Sequence, residues 1–140
     1  MPIDLTDFAE AIDNARADGT PCIVATQGSE GVPDIGIKGS MMVFDGEHLA
    51  FWERALGQNF TNLQATPGIA VIYFNRERGK LIRAFGHVEL HAEGPVREQI
   101  MSRTIEAELN MDPERKGVGV LIRVDRFVEA FSRTTQLRNE

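Results

Sequence analysis

Turn signals punctuate this chain too closely for helices to separate its first strands. Gln27-Gly28-Ser29-Glu30-Gly31 follows the apolar run Cys22 to Thr26, and Asp45-Gly46 follows a second run from Pro33 to about Phe44. Strands joined by such short connections can only pair antiparallel, and Asp-Gly is among the strongest hairpin signals. His48 to Trp52 then returns as a third strand. Thr66-Pro67-Gly68 opens a continuous apolar strand over Ile69 to Phe74, read as covered on both faces. After the polar turn Asn75 to Gly79, a long strand places Ile82, Ala84, Gly86, Val88 and Leu90 on one face. Arg83, Phe85, His87, Glu89 and His91 lie on the other. A last strand runs from Val118 to Phe131.

Helices are few and sit between these strands. Leu5, Phe8, Ala9, Ile12 and Ala15 share one helical face, with Asp4 or Thr6 as cap and Gly19 past the end. Gly57 to Ala65 forms a short second helix. Gly94-Pro95 opens a third, turning Val96, Ile100, Met101, Ile105 and Leu109 inward. The spacing predicts about six strands in one domain over residues 1–140, mainly β, as an antiparallel barrel with inserted helices.

Composition narrows the function classes. Fifteen Lys and Arg against 21 Asp and Glu leave a net charge of −6, which repels phosphate backbones, so no nucleic-acid partner is expected. No apolar run is long enough to span a membrane, and residues 1–7 show no signal-peptide pattern, so a cytoplasmic protein is expected. The single cysteine, Cys22, reads as a small buried hydrophobe. No nucleophile elbow, Walker loop or dinucleotide fingerprint is present.

Two segments stand out. Ile35-Gly36-Ile37-Lys38-Gly39-Ser40 places glycines inside a strand, where they mark a bulge or a close approach, beside a cation and a hydroxyl suited to phosphate. Phe51-Trp52-Glu53-Arg54 leads into the helix start Gly57-Gln58-Asn59, whose free N–H groups favour an anion. His87, Glu89 and His91 alternate along one strand face, but no fourth partner accompanies them, and no metal is expected.

Several stretches resemble the pyridoxamine 5′-phosphate oxidase-like FMN-binding split barrels. Ile23 to Pro33 is similar to the opening hairpin of that family, and Val43 to Trp52 to the next. Asn62-Leu63 with Thr66 to Val71 matches its short helix and following strand, and Arg83 to Glu89 its long strand with a central glycine. The resemblance implies a six-stranded antiparallel split barrel that forms a homodimer and binds FMN at the subunit interface, acting as an oxidoreductase on a small-molecule substrate. It assigns cofactor contacts to Lys38, Gly39, Ser40, Trp52, Glu53, Arg54, Gln58 and Asn59, with Arg83 reaching the neighbouring subunit's flavin. A non-catalytic flavin carrier or sensor, or a split barrel for haem or a deazaflavin, is the alternative. Gln58 and Asn59 stand where relatives often carry cations, and the chain ends at Glu140, so pyridoxamine phosphate oxidation itself is not expected.

Overall fold

The computed structural model describes residues 1–138. Eight strands form one antiparallel sheet: β1 (Cys22–Gln27), β2 (Pro33–Lys38), β3 (Met42–Asp45), β4 (His48–Glu53), β5 (Gly68–Asn75), β6 (Lys80–His91), β7 (Val118–Glu129) and β8 (Thr134–Leu137). Their order is β2-β1-β5-β6-β7-β4-β3, with β8 paired to β7. A 3-10 turn (Thr6–Phe8) leads into α1 (Ala9–Asp13). Three further helices follow: α2 (Gln58–Ala65), α3 (Pro95–Arg103) and α4 (Glu106–Leu109).

The order itself closes the fold. β2 and β3 lie at opposite ends of the path, yet only residues 39–41 separate them in the chain. Four residue steps span at most about 14 Å, so the sheet must curl until its edges meet. The mainly β barrel class read from the sequence is what forms. The strand count is eight rather than six for two local reasons. The run from Pro33 to Phe44 breaks at Gly39-Ser40, where the chain passes from one edge to the other. Beyond β7 the chain also turns back as β8. The third predicted helix is split as well, because Thr104 adopts an extended backbone and its hydroxyl donates to Ile100 O (2.7 Å). Nor does the first helix run unbroken: only its middle is α-helical, although Leu5, Ile12 and Ala15 are buried as their spacing predicts.

The barrel interior holds Leu5, Val24, Phe51, Val71, Ile82 and Phe127, among others. A second cluster of Met42, Ala50, Trp52, Ile100 and Leu121 forms where α3 packs on β4 and β7. Cys22 is buried, and burial pushes its thiol up to about 12, so it serves as core. β5 departs from expectation. Ile69, Val71 and Tyr73 face the interior, but Ile72 and Phe74 are 41% and 43% exposed, so the described residues bury only one face of the strand.

Gly86 marks a bulge. Phe85 pairs with Arg126 and Gly86 with Val124, leaving Asp125 as the extra residue. A Cβ at Gly86 would collide with the backbone carbonyl of Arg123. Gly86→Ala is therefore expected to destabilise the protein by about 1–3 kcal/mol, measured by denaturant unfolding.

Glu129 holds the turn between β7 and β8, accepting from Leu81 N, Phe131 N and Ser132 N at 2.9, 3.1 and 2.9 Å. Burial raises its pKa, but these hydrogen bonds outweigh burial and set it at about 2, against an ordinary 4.5. A depressed carboxylate stabilises the fold above its unfolded pKa. That contribution is lost as pH falls from 4.5 toward 2. Glu129→Gln should flatten the pH dependence of the melting temperature in this window, and an unchanged slope would contradict the assignment.

Candidate functional site

The seam where the sheet edges meet gathers most of the residues singled out above. Lys38, the last residue of β2, places Nζ 2.6 Å from Oε1 of Glu53 at the end of β4. Their side chains are 12% and 1% exposed. The Phe51 ring lies beneath the ammonium, 5.5 Å from its centroid. Oε2 of Glu53 accepts from Leu56 N (3.0 Å), which fixes the start of the segment leading to α2. Ser40 Oγ accepts from Trp52 N (2.9 Å) and donates to Trp52 O (3.2 Å), stitching the edge-to-edge crossing to β4.

Trp52 is enclosed. It is 2% exposed, its Nε1 donates to Asp112 Oδ2 (2.9 Å), and the Arg97 guanidinium stacks 4.8 Å above the ring. Burial raises the Asp112 pKa, but N–H groups of Lys116 and Gly117 and the indole lower it further, so the carboxyl is held below its usual range. Arg54 Nε meets Glu108 Oε1 at 3.4 Å, and Arg16 Nε meets Glu108 Oε2 at 2.8 Å. The Glu108 carboxylate lies against Gly39, where a Cβ would collide with it.

Gln58 and Asn59 form a neighbouring cluster on α2. Asn59 Nδ2 donates to Asp34 Oδ2 (2.8 Å) and Thr26 Oγ1 (3.1 Å), while Asn62 Nδ2 donates to the same hydroxyl (3.0 Å). Gln58 Nε2 donates to Asn62 Oδ1 (2.8 Å). Gly36 leaves the space that the Asn59 side chain fills. Glu30, Asp34 and Gln58 help line a cleft of about 370 Å³ between the β1–β2 turn and α2.

Arg83 stands apart, on the outward side of β6. Ile37, Ile23, Ile72 and Arg83 form one row across four strands, and Ile35, Ala25, Ala70 and Phe85 form the next. Ile35 and Ile37 are 72% and 67% exposed. The Arg126 guanidinium stacks 4.3 Å over Phe85, whereas that of Arg83 has no hydrogen-bond or ion-pair partner among the described residues. His87 Nδ1 lies 2.6 Å from Asp125 Oδ2, and His91 Nε2 3.1 Å from Glu89 Oε1. Among the described residues no three metal-ligating side chains converge.

Comparison with known proteins places this geometry. The profile described as pyridoxamine 5′-phosphate oxidase matches residues 8–126. The chain belongs to the pyridoxamine 5′-phosphate oxidase family. No curated protein matches it. Among solved structures it is similar to HupZ of Group A Streptococcus, with 25% identity and a TM-score of 0.73 over 96% of this chain and 98% of that one. An FMN-binding protein of Syntrophomonas wolfei shares the fold at 12% identity and a TM-score of 0.70, covering 89% and 87%. An F420 reductase does so at 21% and 0.60, covering 77% and 88%.

A flavin phosphate needs uncommitted donors, and the seam offers it few. Lys38 is held by Glu53, Arg54 by Glu108 and Asn59 by Asp34, while the Ser40 hydroxyl is spent on the Trp52 backbone. As arranged, the donors of Lys38, Ser40 and Asn59 are turned to partners within the chain and are not set out around a phosphate. The partners Glu108, Arg16, Asp34, Thr26 and Asp112 were not singled out in the sequence, because each acts across a long chain separation that no local pattern reports.

The buried pair sets a measurable cost. Lys38→Met strands the Glu53 carboxylate and should cost about 3–5 kcal/mol, whereas adding Glu53→Leu should recover most of that loss. Urea unfolding of wild type, single and double variants checks this; a double variant no better than the single would refute it.

Proposed function

We propose that this protein is a homodimeric oxidoreductase acting on a small molecule, with a flavin-type ring bound at the margin of the subunit interface. The observation that carries the reading is the outward face of β2, β1, β5 and β6. Contiguous exposed apolar surface of this kind marks an interface. Two-fold pairing lets one such face cover its own copy. A shallow cleft of about 190 Å³ lies on it, lined mostly by apolar side chains, Ile23, Ile35, Ile72 and Phe85 among them, together with Arg83.

Family membership supports the redox part, since an FMN-binding protein and an F420 reductase share this fold. A flavin or deazaflavin, when bound, supplies the electron chemistry. The chain's own contribution is an apolar surface against the ring and a cation at the end of the isoleucine row, Arg83, which has no polar partner among the described residues. Arg83 is suited to orient an electron-rich ring edge or an anionic substrate.

Sedimentation analysis and a riboflavin titration test this together. The wild type is expected to sediment as a dimer and to quench riboflavin fluorescence. Ile35→Glu with Ile72→Glu should give a monomer that has lost riboflavin binding. A monomeric wild type, or a monomeric variant that still binds the ring, would contradict the reading.

A further inference from the structure

We infer that this chain supplies its own counter-ions to the donors that its family resemblance assigns to a cofactor phosphate, and so selects flavins by the ring and not by the phosphate. The inference rests on the flavin reading above and sharpens it into a ligand preference. Three carboxylates carry it. Glu53 holds Lys38, Asp34 holds Asn59, and Glu108 bridges Arg16 and Arg54.

These contacts are built in. Glu53 is 1% exposed at its side chain and accepts both the Lys38 ammonium and the Leu56 N–H, so drawing Lys38 toward a ligand would leave a buried carboxylate without its cation. Glu108 is 8% exposed and occupies the space beside Gly39, while Asn59 occupies the space beside Gly36. The two strand glycines therefore open room for the protein's own side chains. The cleft beside α2 is lined by Glu30 and Asp34, whose carboxylates oppose a phosphate entering it. A phosphate monoester, carrying close to two negative charges, gains little here.

Riboflavin and FMN differ only by that phosphate, so the ratio of their dissociation constants for the wild-type protein reads the inference directly. The constants should agree within about threefold, whereas a phosphate held by charge-assisted hydrogen bonds would favour FMN by about tenfold or more. FMN binding tighter by that margin overturns the inference. If neither flavin binds, the flavin reading fails, and inorganic phosphate decides the remaining point. A melting temperature unmoved by inorganic phosphate then supports self-closure, and a rise at low millimolar phosphate refutes it. Two variants test the carboxylates, with folding checked by circular dichroism. Glu108→Gln, or the more peripheral Asp34→Asn, should raise FMN affinity about tenfold while leaving riboflavin unchanged. No gain in either folded variant would also overturn the inference.

Discussion

The link over residues 39–41 is the constraint on which the rest of this structure depends. It ties together strands that lie at opposite ends of the sheet order, so the sheet cannot remain flat. Closing it brings the end of β2 against the end of β4. It also places a lysine and a glutamate from distant parts of the sheet in one buried ion pair. Ser40, bonded twice to the Trp52 backbone, fixes the crossing at the point where the ladder is interrupted. Trp52, anchored to Asp112 and covered by Arg97, then carries the seam into the second apolar cluster beneath α3.

This seam shows how a closed β scaffold can satisfy its own charged groups from within. The backbone supplies the glycines, the strand crossing and the short helix after β4. Among the side chains filling that frame, Lys38, Arg54 and Asn59 are each answered by a carboxylate on another element. Burial makes those pairs hard to exchange for an outside ligand, because a charge left alone in a dry interior is costly. The outward apolar rows are the opposite case. Among the described residues nothing covers Ile35, Ile37 or Ile72.

Much of the fold was legible along the chain, since hairpins depend on residues next to one another. Asp45-Gly46 places β3 beside β4, and the alternation from Ile82 to Leu90 orients β6 correctly. Errors arose where a local pattern continued through a tertiary event. The apolar run from Pro33 to Phe44 gives no sign that it changes edges at Gly39. The apolar face through Val96 and Leu109 gives no sign that Thr104 interrupts it. Likewise the unbroken apolar run of β5 suggests two covered faces, although the described residues bury only one.

The sequence by itself determined the antiparallel strands, the positions of the turns, the core faces and the family, because periodicity, turn chemistry and ordered short motifs are properties of neighbouring residues. Only the tertiary structure decided that Lys38, Arg54 and Asn59 are already engaged by Glu53, Glu108 and Asp34. Charge pairing depends on separation in space, and the curl of the sheet brings together groups as far apart in the chain as Arg16 and Glu108.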